Sequence, residues 1–273
     1  MNPTEIQQAL SALGGRANKA LGQHFLVDPV ALQKIVDAAE LKAGESVLEI
    51  GPGLGVLTNK LLEVGVHLIA IEQDRRFLPG LETNINDQGK VIHGNAIELE
   101  WSPLFEHRPW KLVANLPYSI TSFAIRKALY DASPATKVVV LIQKEVADRA
   151  IAKDGKLSLL SLMIALATSS SSIAARVPPG AFFPPPKVDS SVLVLDVMSH
   201  DERRKKWGID PEQVMKLAKK GFAHPRKKMF SNLGMKEVEA TAMATLVGIS
   251  PMVRSEDVNV EQWVELAKKI SLS

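Results

Sequence analysis

Through the first half of the chain, short apolar runs alternate with stretches whose apolar positions return at helical spacing. Residues 46–50, 65–72, 90–96 and 137–143 read as strands. The last is almost wholly apolar, as strands buried on both faces tend to be. Residues 111–118 supply another: Lys111 to Ala114 form a buried run that ends in Asn115, Leu116, Pro117 and Tyr118. Helical patterns lie between. Residues 29–39 carry Val30, Ile35, Val36 and Ala39 as an apolar stripe behind Pro29, and 56–64 form a second helix. Residues 4–13 predict a short helix with Thr4 as its cap and Gly14 and Gly15 as its stop. Residues 16–29 are polar, basic and aperiodic, which predicts an ordered loop hinged at Gly22. Strands alternating with helices predict a parallel α/β sheet.

The pattern changes after Lys144. Residues 157–167 read as an apolar helix, and 173–177 and 191–197 as strands flanking the proline-rich loop 178–187. Its prolines exclude a central strand there. The highly charged run 199–208 reads as a linker. Beyond it only helices are expected, over 211–222, 227–233, 237–247 and 260–270. The division that follows is an α/β domain over 1–198 and a small all-α domain over 199–273.

Composition narrows the function classes. Hydrophobic residues are 46% of the 273 and charged residues 23%, a globular balance. With no cysteine and no H-x-x-x-H pairing among six histidines, neither disulfides nor a metal site are expected. No apolar run approaches the roughly 18 residues of a membrane span. Glu5, Gln7 and Gln8 interrupt any signal-peptide core, so a cytoplasmic protein with no membrane partner is expected. The net charge of +3 is uneven: residues 199–273 hold 14 Lys and Arg against 10 Asp and Glu. A basic module appended to a near-neutral one suggests a polyanion partner.

Two segments carry chemistry. Gly51-Pro52-Gly53-Leu54-Gly55 follows a strand ending Leu48-Glu49-Ile50, and the next strand ends in Glu72. Glycines there let backbone amides approach a ligand, and an acid about twenty residues on can accept hydrogen bonds from ribose hydroxyls. Dinucleotide sites prefer G-x-G-x-x-G, which sets a helix N-terminus against a pyrophosphate. Here the third glycine comes one position earlier and an acid stands before the loop, which favours S-adenosylmethionine. The same glycines would also serve a plain strand-to-helix turn. In such a sheet the end of the strand at Asn115 lies beside the donor methyl. The Asn115 side-chain oxygen and a neighbouring carbonyl can accept from an exocyclic amine, and Tyr118 can stack on its ring. No strong base is evident nearby. Phe182 and Phe183, in the proline loop, can either face this site or plug the core.

Taken together the blocks are recognisable. They are Leu21-Gly-Gln-His-Phe-Leu26, Glu49 to Gly55, Asn115-Leu-Pro-Tyr118, Gln143-Lys-Glu145, Phe182 to Ser190, and Phe222 followed by Arg226-Lys-Lys228. The chain resembles the ribosomal RNA adenine N6,N6-dimethyltransferases, most closely the bacterial 16S, kasugamycin-sensitivity type. The resemblance implies a Rossmann-like sheet that uses S-adenosylmethionine as methyl donor, with cofactor contacts at His24, Leu26, Gly51, Gly53, Glu72, Asn95 and Asn115. It implies target-adenine contacts at Asn115, Leu116, Pro117, Tyr118 and Phe182, the last facing Tyr118 across the base. The basic block Arg226, Lys227 and Lys228 would contact RNA. The implied substrate is a pair of adjacent adenosines near the 3′ end of 16S rRNA, within the small ribosomal subunit or its precursor, modified by a monomer. Two alternatives stand beside it: an assembly factor acting mainly by binding, and the macrolide-resistance relative acting on 23S rRNA. His24 stands where many members have Asn, and Asn95 where Asp is usual.

Overall fold

The computed structural model describes residues 1–106, 108–152 and 157–271. The chain divides into two compact units, one of Met1–Ala147 with Ser172–Val197, the other of Asp148–Ser171 with Met198–Ser273.

The first unit opens with α1 (Pro3–Ala12), β1 (Phe25–Leu26) and α2 (Pro29–Ala39). It then alternates β2 (Ser46–Ile50), α3 (Val56–Glu63), β3 (His67–Glu72), α4 (Leu78–Ile85), β4 (Gly89–His93), β5 (Trp110–Asn115), α5 (Thr121–Tyr130), β6 (Lys137–Gln143) and α6 (Lys144–Ala150). After α7 (Leu159–Ala167) come β7 (Thr168–Val177), β8 (Phe182–Phe183) and β9 (Ser190–Val197). Seven strands form one sheet in the order β4-β3-β2-β5-β6-β9-β7. Pairing is parallel from β4 through β6, and β9 then runs antiparallel to β6. The chain moves outward from β2 to β4 and returns to lay β5 on the other side of β2. Strand order therefore reverses between β2 and β5, and a crevice opens at their carboxyl ends.

Local chemistry explains these elements. Residues 138–142 of β6 are fully buried, which suits a β-branched run inside a sheet covered on both faces. Asp28 caps α2 by accepting from the Val30 N–H, with Pro29 at the first helical position. The far end of α2 is tied to the sheet: Lys111 Nζ donates to the carbonyls of Ala39 and Glu40 at 3.2 and 2.9 Å. β1 and β8 pair apart from the main sheet, setting Phe25 opposite Phe183 and Leu26 opposite Phe182. The polar loop after α1 thus ends as a two-residue strand clamped to the proline loop, a pairing with no signal in either segment alone.

The second unit joins α7 to α8 (His200–Trp207), α9 (Pro211–Gly221), α10 (Met229–Asn232), α11 (Glu237–Val247) and α12 (Val260–Ser271). Three expectations change here. Residues 148–152 and 157–171, assigned from sequence to the α/β domain, group with the helical unit. The reason is α7, apolar on nearly every face: Leu162 and Leu166 pack with Trp207, Val214 and Trp263. The Trp207 indole N–H also donates to the Leu166 carbonyl at 2.9 Å. The expected linker 199–208 is mostly α8. Ser199 and Glu202 form a capping box, Arg203 and Trp207 are buried one turn apart, and Gly208 ends the helix in the left-handed region at φ 65°. The helix expected over 227–233 is confined to α10, so Lys227 and Lys228 precede it in the turn after α9.

The core of this unit has little slack at Gly221, where an added Cβ would lie 2.4 Å from the Trp263 ring. Trp263 is fully buried and stacks on Phe222 at 5.6 Å. Gly221→Ala should therefore destabilise the helical unit by about 1–3 kcal/mol through overpacking. Urea unfolding followed by tryptophan fluorescence would measure this, and an unchanged midpoint would mean the indole has room to move.

Candidate active site

A pocket opens at the carboxyl ends of β2, β3 and β5, where the strand order reverses. It is lined by His24, Leu26, Gly51, Gly53, Glu72, Asn95, Asn115, Leu116, Pro117 and Tyr118, with Ile50, Ile71, Val56, Leu57 and Ala96 as apolar wall. Residues distant in sequence and singled out there are thus brought to one place. The apolar wall was not anticipated, because its members are ordinary strand and helix residues until the topology aligns them.

The glycine turn has the backbone its composition predicts. Gly51, Gly53 and Gly55 all have positive φ, at 69°, 57° and 79°. At Gly53 space is short as well, since an added Cβ would lie 2.9 Å from the Phe25 ring. The turn is anchored by Glu72, whose carboxylate accepts from the Gly53 N–H at 2.9 Å and the Asp74 N–H at 2.7 Å. Burial pushes the Glu72 carboxyl up, against the pull of main-chain N–H groups from Asp74, Gly53 and Gln73. Beneath it Glu49 is buried and accepts from the Thr58 hydroxyl at 2.7 Å. Burial, with a smaller contribution from the Glu72 charge, pushes Glu49 up to about 8, so it is largely protonated at neutral pH. Among the described residues no Lys or Arg lines the pocket, and its ionisable side chains are acids, His24 and Tyr118, which is compatible with a cationic ligand.

The segment after β5 is held at each residue. Asn115 Nδ2 donates to the His24 carbonyl at 3.1 Å, which leaves Oδ1 as an acceptor facing no partner among the described residues. The Leu116 N–H donates to the Leu141 carbonyl at 3.2 Å and extends the ladder with β6. Pro117 packs its ring on the glycine turn: a Cβ at Gly51 would stand 3.4 Å from its Cγ and Cδ. The Tyr118 hydroxyl meets the buried Ser190 hydroxyl at 2.7 Å, fixing the tip of the ring. Burial raises the Tyr118 phenol, with the Ser190 hydrogen bond opposing.

The loop before β1 closes one side of the pocket. Gln23 accepts from the Asn18 N–H at 2.7 Å and donates to Asp74 at 2.8 Å. Asp74 is also gripped by Arg76 at 2.6 Å, and that contact draws its carboxyl down to about 2. Arg76 reaches on to the Arg16 carbonyl at 3.2 Å. Gln23 and Asp74 were missed from sequence, although Asp74 lies two residues past the strand-ending acid. The His24 ring stacks on Tyr118 with centroids 5.9 Å apart and 26° between planes.

Phe182 departs from expectation. It is 4% exposed, packed with Leu26, Leu32 and Ala181, and does not line the pocket. What is observed is its burial, with Phe182 paired opposite Leu26, itself a pocket-lining residue. Where a Phe was expected beside Tyr118, His24 stands instead. Asn95 does line the pocket, but its side chain is already engaged. Oδ1 accepts from the Ile97 N–H at 3.1 Å, and Nδ2 donates to Glu98 at 3.0 Å. Arg226, Lys227 and Lys228 are exposed in the helical unit and are not among the pocket-lining residues. Among the described residues no group of three His, Asp or Glu side chains could hold a metal, and no helix is long and apolar enough to cross a membrane.

The family described as "Ribosomal RNA adenine dimethylase" matches residues 14–272. The "Ribosomal RNA small subunit methyltransferase A" of Dehalococcoides mccartyi (strain ATCC BAA-2266) is 35% identical over 271 residues, covering 96% of this chain and 92% of that protein. The protein of the same name from Lactiplantibacillus plantarum is 34% identical over 97% of this chain and 94% of its own length. A dimethyladenosine transferase from Plasmodium falciparum is 26% identical with a TM-score of 0.73, covering 91% of this chain and 98% of its own. The 23S rRNA methyltransferase ErmE, at 23% identity and a TM-score of 0.69, shares the fold.

The buried Glu49 makes stability depend on pH in a definite direction. A carboxyl with a folded value of about 8 and an ordinary value of 4.5 binds its proton more tightly in the folded chain. Its contribution is fully present below the unfolded value and is lost as pH rises toward 8. Glu49→Gln removes that loss. Thermal unfolding should show the variant gaining on the parent as pH rises from about 5 to about 8. A difference that stays constant across that range would mean Glu49 is ionised in the folded chain.

Proposed function

Because the chain belongs to the ribosomal RNA adenine dimethylase family, we propose that it dimethylates the N6 amines of two adjacent adenosines near the 3′ end of 16S rRNA, within the small ribosomal subunit or its precursor. The observation that carries this reading is the Asn115–Tyr118 segment, fixed in an acid-lined pocket with no Lys or Arg among its described lining residues. S-adenosylmethionine, when bound there, supplies an electrophilic methyl on a cationic sulfur. Glu72 is the acceptor for its ribose hydroxyls, since each oxygen keeps a lone pair beyond the main-chain bond it already takes. Gly51 and Gly53 let main chain approach closely, the Ile50, Ile71 and Ala96 wall takes an adenine ring, and Asn95 Oδ1 accepts from its amino group. His24, Leu26 and Asn115 complete the enclosure.

The target amine is a poor nucleophile because its lone pair is delocalised into the ring. Asn115 Oδ1 and the Leu116 carbonyl accept its two hydrogens. They draw the nitrogen toward a pyramidal state and stabilise the positive charge that grows on attack. The Nδ2 bond to His24 sets Oδ1 in advance, so this acceptor needs no reorganisation. Tyr118, held by Ser190, is a wall of the base slot, while Phe182 supports β1 from behind rather than touching the base. Displaying a ribosomal adenine in such a slot requires it to be unstacked. Arg226, Lys227 and Lys228 contact phosphates and position the particle without reading bases, so binding weakens steeply with salt. The RNA substrate requires no second copy of the chain, so a monomer working in the cytoplasm is part of the proposal.

Labelled methyl transfer from S-adenosylmethionine to undermethylated 30S subunits, with 50S subunits as control, tests this reading. Incorporation into 30S alone is expected. Incorporation into 50S alone would favour 23S rRNA, and none into either would reduce the role to binding. Asn115→Ala should lose about 10²–10³-fold in transfer rate while still binding 30S particles in sedimentation. Retained activity would show that Oδ1 is not the acceptor. At Asn95 the hydrogen bond to Glu98 sets the expectation. Asn95→Asp places two carboxylates face to face, so it should bind S-adenosylmethionine roughly two- to fivefold more weakly than Asn95→Asp with Glu98→Gln. Equal affinities by calorimetry would mean that Glu98 does not bear on the pocket.

A further inference from the structure

A loop that touches both halves of a site can hold them in register. We infer that Gln23 is a positioning residue for methyl transfer: its side chain ties the loop before β1 to Asp74, and that tie sets the Asn115 amide. The role rests on the methyl-transfer reading above and adds to it a residue that acts through others.

Gln23 lines the pocket, yet both ends of its side-chain amide are engaged by the protein itself. Oε1 accepts from the Asn18 N–H at 2.7 Å, and Nε2 donates to Asp74 Oδ2 at 2.8 Å. Asn18 in turn caps the short turn Lys19–Leu21 by accepting from the Ala20 N–H at 3.0 Å, and its carbonyl accepts from the Gln23 N–H at 3.3 Å. Residues 18–23 are thus closed on themselves, with Gly22 in the left-handed region at φ 65°.

Asp74 is a firm anchor. Arg76 Nε donates to its Oδ1 at 2.9 Å and Arg76 Nη2 to its Oδ2 at 2.6 Å, so the bond from Gln23 ends on a paired, ionised carboxylate. The Asp74 N–H donates to Glu72 Oε1 at 2.7 Å, and Glu72 Oε2 accepts from the Gly53 N–H at 2.9 Å. A line of hydrogen bonds therefore runs from the loop, through Gln23 and Asp74, to the carboxylate proposed to take the ribose and on to the glycine turn.

The next residue completes the link. The His24 carbonyl accepts from Asn115 Nδ2 at 3.1 Å, so the cofactor floor and the acceptor amide are held at adjacent residues of one loop. Other ties flank this stretch. The His24 ring meets the Pro184 carbonyl at 2.7 Å, the Val27 N–H donates to the Ala181 carbonyl at 2.8 Å, and β1 pairs with β8. Before it, Arg76 reaches the Arg16 carbonyl at 3.2 Å. These contacts keep the loop in place when Gln23 is changed, so its loss should loosen the stretch around Gln23 and His24 without unfolding the unit. A shift of the His24 carbonyl turns the Asn115 amide, and a displacement of about 1 Å at such an acceptor is enough to cost rate.

Two measurements test this role. Gln23→Met keeps the length of the side chain and loses both of its hydrogen bonds. In the ligand-free protein it should speed amide hydrogen exchange over residues 18–24 while leaving β2 and β3 as in the parent. Unchanged exchange over 18–24 would overturn the inference whatever the activity. In single-turnover transfer to 30S subunits at saturating S-adenosylmethionine, Gln23→Met should run roughly 10-fold slower than the parent. Gln23→Glu keeps the bond from Asn18 but sets a carboxylate against Asp74, and it should be at least as slow. A parental rate in Gln23→Glu would show that the tie to Asp74 positions nothing. In an Asn115→Ala background, Gln23→Met should change the residual rate by less than about twofold, because the amide it positions is gone. An equal loss in both backgrounds would mean general loosening of the loop, which would overturn the inference and leave the methyltransferase reading intact. A parent inactive on 30S would overturn both.

Discussion

The pocket depends on the parallel pairing of β2 with β5. Had β5 been added beyond β4, in sequence order, the glycine turn and the Asn115 segment would lie on strands far apart. The reversal makes them neighbours. The turn after β2 and the chain after β5 leave adjacent strands at the same end, and Pro117 packs directly on Gly51. Positive φ at Gly51 is therefore demanded by the turn, and the packing of Pro117 leaves little space for a side chain there. A cofactor turn and a base-gripping turn on adjacent strands set the donor beside the acceptor by topology alone, which is the proximity that such a reaction most needs.

Closure of the pocket rests on hydrogen bonds between loops. β1 pairs with β8, Gln23 reaches Asp74, and Asn115 reaches the His24 carbonyl. Each joins the loop before β1 to a different part of the unit: the proline loop, the segment after β3 and the segment after β5. The last of these links two functions. The bond that holds the loop closed also orients the amide whose oxygen faces the target, so loss of loop order would be expected to disorder the acceptor too.

What was legible in the sequence follows from how local each signal is. The sheet strands announce themselves by composition, and the glycine turn and Asn115–Tyr118 by residues whose chemistry is unusual at a strand end. The helix α8 was also announced, by Ser199 with Glu202 and by Trp207 with Gly208, but its charge made it resemble a linker. The β1–β8 pair was not legible, because two-residue strands carry no period, and with it went the fate of Phe182. The surroundings of a phenylalanine in a proline loop depend on the strand it pairs with, here β1 at Leu26. The placement of α7 was hidden for a related reason. A helix apolar on nearly every face says that it is buried without saying in which unit.

Charge bears most directly on the choice of ligand. Among the described residues, two buried carboxyl groups and no Lys or Arg line the pocket, an arrangement compatible with a cationic ligand. Burial pushes both acids up, but at Glu72 main-chain N–H groups oppose it, whereas Glu49 has the Thr58 hydroxyl and is pushed up to about 8. Two ionised carboxylates this deeply buried and this near each other would strain the fold. Keeping one neutral avoids that cost.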